Sequence, residues 1–403
     1  MEHVKDAVTK RKDITGTLTE VQILATLLNA NAGISKYNIK MIVTKRPFII
    51  FGKPDIGIQE KNAVMDVLDS GWLSTGPVTK KFEEEFRKAI RTKHAIAVSS
   101  CTDGMIIALM AAGVGYGDEV ITSPMTYPAT VNAIMAVGAR PVFVDVNKDG
   151  LIEPLTVQYA ITERTKAVIP VHYTGAKCDA DLIRLVVNKR GITVIEDAAH
   201  SFGGDYGILG DMACYSFYPT KNITSGEGGM VVTNSGYLAE KLRTISMQGV
   251  NNNAYKRYSE SRIKQYEYVT PGRKANMSDI HAAIGLTQLR RWPEIRVKRD
   301  AIWRLYEKAF GEKPTPHSHH LFTIEHPKRD KLRDFLHKNG VGTGIHFKVI
   351  HKQFAFQFNI KQQGSFPVAE NIGRKTLSLP ISSTMTSDDV SYVVDLVRNF
   401  KGD

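Results

Sequence analysis

The run Ser216-Phe217-Tyr218-Pro219-Thr220-Lys221-Asn222, with Gly226-Glu227-Gly228-Gly229 just after it, fixes one lysine by its surroundings. Lys221 follows an apolar strand pattern, sits beside a proline and precedes a glycine-rich bend, so its backbone is constrained. Schiff-base chemistry needs an amine whose pKa is lowered by its environment, first to act as nucleophile and then as base. One lysine among many is a weak signal alone. About two dozen residues upstream, however, the apolar run Val194-Ile195-Glu196 ends in Asp197, and His200 follows. A carboxylate at a strand end suits a protonated ring nitrogen, which a pyridoxal enzyme needs to keep its electron sink charged. A helix cap or a structural salt bridge would explain Asp197 in isolation. Paired with Lys221, the cofactor chemistry is favoured.

Two more segments could serve the same chemistry. Ser99-Ser100-Cys101-Thr102-Asp103-Gly104 reads as a strand-to-helix junction of small polar residues. Free backbone N–H groups there, with nearby hydroxyls, make a phosphate site. Plain capping by Thr102 is the alternative, and the two can coexist. Ser216 offers another hydroxyl. Tyr127, in Ser123-Pro124-Met125-Thr126-Tyr127-Pro128, could stack on a planar ring or lie in the core. Competing motifs are absent. Val231 stands where a G-x-G-x-x-G begun at Gly226 needs its third glycine, and there is no Walker A loop, H-E-x-x-H or nucleophile elbow.

The elements that must position these residues alternate. Strands are expected at 94–99, 119–123, 140–146, 166–173, 192–196, 214–218 and 229–233. Helices are expected between them at 102–112, 129–137, 153–161 and 180–188. Such units argue for an α/β protein with a mostly parallel sheet covered on both faces, binding ligands at the carboxyl ends of its strands. From about Trp292 the pattern changes to a small α+β domain. It has a helix over 294–310, a strand at 321–324, a helix at 329–338, a strand at 341–347 and a last helix at 387–399. Thr386 and Asp389 form a capping-box pair at the start of that helix. Residues 1–46 read as a mobile N-terminal extension with one short helix at 17–32, and Met41 is an alternative start. The expected division is therefore 1–46, a large domain over 47–291 and a small domain over 292–403.

A chain of 403 residues with 42% hydrophobic and 23% charged residues can bury a core without disulfides or metal. Its three cysteines are in no pairing or metal-ligand spacing, which points to a reducing compartment, the cytoplasm. The net charge of +12 suits an anionic substrate. The basic residues lack aromatic interleaving or a nucleic-acid motif, so no nucleic-acid partner is expected. No apolar run is long enough for a membrane span.

Together these segments resemble the DegT/DnrJ/EryC1/StrS family of nucleotide-sugar aminotransferases. The likeness runs from about Phe48 to Phe400 and includes Ser70–Pro77, Ser99–Thr102, Glu196–His200, Pro219–Asn222, Gly226–Gly229, Asn276–Asp279 and Gly344–Phe347. The resemblance implies the pyridoxal 5'-phosphate-dependent transferase fold type I, aspartate aminotransferase-like. It implies Lys221 as the Schiff-base lysine, Asp197 on the pyridine nitrogen, Tyr127 on the ring and His200 near the phenolic oxygen. Thr102, Asp103 through its backbone, and Ser216 would hold the phosphate. Asn276 would reach that phosphate from the other subunit of a homodimer with shared active sites, and His346 would face the sugar nucleotide. The implied substrates are L-glutamate, giving 2-oxoglutarate, and a nucleotide-linked keto-sugar. Thr126–Ala133 looks most like members acting at carbon 4 of UDP-linked sugars, in lipid A or surface polysaccharide synthesis. A dehydratase on the same fold is disfavoured because the lysine is kept; a non-catalytic regulator is the remaining alternative. The chain departs from the family in a trimmed 203–210 stretch, in Arg273 and Ala275, and in a short segment after Phe310.

Overall fold

The computed structural model describes residues 46–250, 267–357 and 364–402; the helix expected at 17–32 and the N-terminal extension lie outside the described residues. From Phe48 onward the chain forms one compact unit. It opens with two helices that the sequence reading did not anticipate, α1 (Ile58–Ser70) and α2 (Pro77–Ile90). Alternating strands and helices follow, namely β1 (His94–Val98), α3 (Cys101–Ala111), β2 (Glu119–Thr122), α4 (Pro128–Ala136), β3 (Arg140–Phe143), α5 (Pro154–Ala160), β4 (Thr165–Ile169), α6 (Ala180–Val187) and β5 (Thr193–Asp197). Two more strands, β6 (Met212–Ser216) and β7 (Gly229–Thr233), complete the sheet before α7 (Gly236–Ser246).

These strands form one seven-stranded sheet in the order β1-β7-β6-β5-β4-β2-β3. Every pairing from β6 to β3 is parallel, and β7 runs antiparallel to both its neighbours. Side chains alternate across the sheet, as a period of two requires. Ile96, Val98, Met212, Cys214 and Val231 face α3 and α7. Ala95, Ala97, Ala213, Tyr215, Met230 and Val232 face a second core with Phe82 and Phe86 of α2. Both phenylalanines are wholly buried, contributing roughly 1.5–3 kcal/mol each.

The chain continues in α8 (Asp279–Phe310), 32 residues long, then β8 (Phe322–Glu325), α9 (Arg329–Lys338), the single turn α10 (Phe354–Gln357), α11 (Pro367–Lys375), β9 (Thr376–Leu379) and α12 (Ser387–Asn399). β8 and β9 pair antiparallel as a separate two-stranded sheet. The far half of α8 packs there through Ile302, Trp303 and Tyr306. The Thr386–Asp389 capping box is present at the start of α12.

Three expectations need correction. The basic helix begins at Asp279, not Glu294, and passes through Pro293 without ending. Its near half buries Ala282, Ala283, Leu286 and Leu289, and this packing outweighs the one backbone bond that proline removes. The stretch 341–347 is not a strand: Val341 bridges Ile49 and Gly344 bridges Ser378, so the chain crosses between two partners instead of lying along either. Its expected place in the small sheet is taken by β9. The strand expected at 140–146 stops at Phe143, and Val146 turns back to bridge Ile152.

Candidate active site

Sheet register brings the candidate residues to one end. Asp197 closes β5 opposite Cys214 of β6, and Ser216 closes β6 opposite Gly229. Gly229 also faces Val98, the last residue of β1. A Cβ on Gly229 would lie 2.6 Å from the Cys101 nitrogen, so only glycine lets β7 start this close under the N-terminus of α3. Lys221 follows in a turn closed by its own N–H on the Tyr218 carbonyl, at 2.9 Å.

The result is a cavity of about 260 Å³ whose wall includes Lys221, Asp197, His200, Thr102, Tyr127, Ser216 and His346. Burial lowers the Lys221 amine to about 8, and Asp197 opposes that shift. Cys101 also lies in this wall, and burial holds its thiol protonated, well above the ordinary range. Asp197 is the wall carboxylate whose charge acts on the lysine. Its carboxylate is buried and held by two donors, the Thr130 hydroxyl at 2.7 Å and the Ala199 N–H at 3.2 Å. Thr130 in turn meets Thr126 at 2.7 Å, an i, i+4 pair on the turn entering α4 that the sequence reading quoted without assigning a role.

The N-terminus of α3 also lines the cavity. The capping residue is Ser100, not Thr102: its Oγ accepts the Asp103 N–H at 3.0 Å. The Asp103 carboxylate takes hydrogen bonds from Ser99 and Arg273, at 2.8 and 3.1 Å. As the first helical residues, Cys101 and Thr102 have N–H groups with no partner inside the helix, and these point an anion-binding end at the cavity.

His200 is buried, and its Nδ1 has no hydrogen-bond partner among the described residues. Burial, followed by Lys221 and nearby histidines, pushes it well below the ordinary range, so it is a neutral imidazole. Its ring lies parallel to that of Phe347 at 5.9 Å. His346 is likewise driven down to about 3 by burial and Lys221, and its Nδ1 lies 2.8 Å from Ser378 Oγ. Tyr127 is 62% exposed at the mouth and is not a core tyrosine. Asp103 does not line this wall, and neither does Asn276. The Asn276 amide nitrogen donates to Thr75 Oγ1 at 2.5 Å, while its buried oxygen has no partner among the described residues. The sequence reading passed over several wall residues, among them Thr126, Tyr218, Glu227 and Phe347.

An amine, a facing carboxylate and a helix N-terminus around one cavity fit a pyridoxal phosphate at its imine carbon, ring nitrogen and phosphate. Residues 54–398 match the DegT/DnrJ/EryC1/StrS aminotransferase family. The chain belongs to that family. It is 40% identical over 384 residues to SpsC of Bacillus subtilis (strain 168), a spore coat polysaccharide biosynthesis protein, covering 89% of this chain and 98% of that one. Spr1654 of Streptococcus pneumoniae, assigned as a sugar aminotransferase and solved in its PMP form, superposes with a TM-score of 0.80 at 29% identity, covering 87% of this chain and 98% of that one. DesV of S. venezuelae, solved with a ketimine intermediate, superposes with a TM-score of 0.77 at 33% identity, covering 85% of this chain and 94% of that one. The α/β architecture is that of these pyridoxal-phosphate enzymes, fold type I, and the protein is a pyridoxal-phosphate-dependent sugar aminotransferase.

Proposed function

We propose that the protein moves the amino group of L-glutamate onto carbon 4 of a UDP-linked keto-sugar, releasing 2-oxoglutarate. The product would enter cell-surface polysaccharide or lipopolysaccharide synthesis in the cytoplasm. The observation that carries the catalytic part is Lys221 and Asp197 in the wall of one cavity that also holds the N-terminal end of α3. Support for a surface-polysaccharide role comes from the 40% identity to SpsC. Support for carbon 4 is the likeness of Thr126–Ala133 to members acting there.

In this reading, pyridoxal phosphate bound at the cavity supplies an electron sink for labile bonds at the amine-bearing carbon. Lys221 holds the cofactor through its amine and, once released, carries the proton between carbon and nitrogen. An amine lowered to about 8 is largely protonated at neutral pH, yet has a substantial free-base fraction for both tasks. Asp197 keeps the ring nitrogen charged, with Thr130 and Ala199 fixing its oxygens. Thr102, the Asp103 backbone and Ser216 hold the phosphate, Tyr127 covers the ring, and the orphaned Nδ1 of neutral His200 serves the phenolic oxygen. Asn276, whose side-chain nitrogen has a second N–H beyond the one given to Thr75, reaches the phosphate of a second subunit, so the enzyme is a homodimer with shared sites. His346 faces the sugar nucleotide. Residues 47–291 act as the cofactor domain and 292–403 as a small domain, a division supported by their separate sheets.

Absorbance of the protein loaded with pyridoxal phosphate tests this. Adding L-glutamate should bleach the lysine-bound band, and 2-oxoglutarate should restore it. Replacing Lys221 with alanine should lower turnover by about 10⁴-fold or more. A band indifferent to glutamate would remove the proposed donor, and turnover surviving in Lys221→Ala would remove the lysine assignment.

A further inference from the structure

Behind the cavity lies a buried histidine, His320, that the mechanism above does not use. It is 2% exposed, and Asn222, the neighbour of Lys221 in the chain, is 5% exposed. The Asn222 side-chain nitrogen donates to two carbonyls, those of Phe202 and Ser318, each at 2.8 Å. Carbonyls only accept, so the amide nitrogen must face them and its oxygen must face the other way. That oxygen lies 3.1 Å from His320 Nδ1. Two acceptors cannot share a hydrogen bond, so Nδ1 carries the proton. Burial, followed by His200 and Lys221, pushes His320 well below the ordinary range, so the ring is neutral and Nε2 is bare.

His320 is anchored from behind. Arg299 of α8 donates to the carbonyls of His319 and His320, both at 3.0 Å. The flanking backbone is tied to the sheet region by Ser318 N–H on Gly175 and Leu321 N–H on Thr174, at 2.8 and 3.1 Å. In front, its ring packs 4.5 Å from that of His200.

We infer that His320, as its Nδ1–H tautomer, is a positioning residue for the reaction: through Asn222 it fixes the turn that presents Lys221, and by ring contact it sets the orientation of His200. The inference rests on the proposed role of Lys221. It makes a fixed, neutral hydrogen-bond donor from the segment that follows α8 part of the cofactor site.

Asparagine and glutamine variants separate position from mere packing. The side-chain nitrogen of Asn can replace Nδ1, whereas that of Gln falls near Nε2. In the loaded enzyme His320→Asn should keep kcat within about threefold, while His320→Gln and His320→Ala should lose about 10- to 100-fold. Equal losses, or none, would overturn the inference. Independently of turnover, NMR of the ¹⁵N-histidine-labelled enzyme should show the His320 ring in the Nδ1–H form, assigned by its disappearance in His320→Asn. An Nε2–H or doubly protonated ring would overturn it even if a variant failed to fold. Lys221→Ala read alongside keeps the two claims apart. Full turnover there would refute the lysine assignment, whereas its loss beside an unresponsive His320 series would refute only the positioning role.

Discussion

The two sides of the active site are built differently. On the sheet side, Asp197, Ser216 and Thr102 sit at or next to strand ends, and strand register alone brings them together. On the C-terminal side, the 316–321 and 344–347 segments belong to no regular element and make only the isolated bridges His317 to Ala176 and Gly344 to Ser378. They are fixed by scattered polar contacts: Arg299 on His319 and His320, Asn222 on Ser318, and Ser378 beside His346. One side is held by a repeated strand ladder and the other by isolated backbone bridges and a few side chains. A single substitution should therefore disturb chemistry on the first side and architecture on the second.

The sharpest break falls on the sheet side. Asp197→Ala removes the carboxylate whose charge acts on Lys221 while leaving β5 paired on both edges and Glu227, the other acid of the wall, in place. Turnover should fall by about 10²–10³-fold with little change in the unfolding midpoint. A large loss of stability with modest loss of turnover would mean that Asp197 is a structural residue and that the contrast between the two sides is misplaced.

Arg299 tests the other side. It is 4% exposed and donates to three carbonyls, of Ile381, His319 and His320, while its Nε has no partner among the described residues. Burial without a paired carboxylate lowers the guanidinium to about 10. Arg299→Leu would leave three carbonyls buried and unpaired, which costs about 2–4 kcal/mol in denaturant unfolding. Turnover of the folded fraction should drop by less than about tenfold. An activity loss as deep as that of Asp197→Ala would show that the C-terminal segments take part in chemistry directly.

The same contrast explains what could be read from the sequence. Strands β1 to β7 were legible because each is a short apolar run between turn residues, and Lys221 and Asp197 were legible because strand ends are where such sheets bind ligands. Ser100 was missed as the cap because several small polar residues in Ser99–Thr102 could each fill that place, and only backbone geometry chooses among them. The apolar stretch 341–347 imitated a strand, but Gly342 and Gly344 let it pass close to residues far away in sequence: a Cβ on Gly344 would meet the Phe51 ring at 2.9 Å. The first half of α8 was illegible because it runs through Pro293, and a proline inside a helix removes a backbone bond and usually ends it. The roles of Asn222 and His320 were illegible because 98 residues separate them, and no local pattern encodes that pairing.

The smallest effect separates the two sides by pH. The Lys221 amine falls from 10.5 to about 8 in the folded protein. Between these values the unfolded chain binds the proton and the folded chain does not, so stability rises as pH rises through that window. Below about 8 the folded cofactor-free protein holds a buried charge, at a cost of about 1–3 kcal/mol. Lys221→Met should therefore be more stable than the unaltered protein by that amount at neutral pH. The gap should close above about pH 10 in urea unfolding of the cofactor-free protein. The buried histidines act in a separate window. His320 is depressed well below 6.5, so it also makes stability rise with pH, but only as pH climbs toward 6.5 from the acid side. His320→Asn should make that acid limb shallower and leave the alkaline one untouched. Lys221→Met should remove the alkaline limb and also ease the acid one, because the charged amine helps hold His200, His320 and His346 down. If His320→Asn moved the alkaline limb as well, the lysine turn and the histidine segment would titrate as one coupled unit, and the division between a sheet side and a C-terminal side would have to be given up.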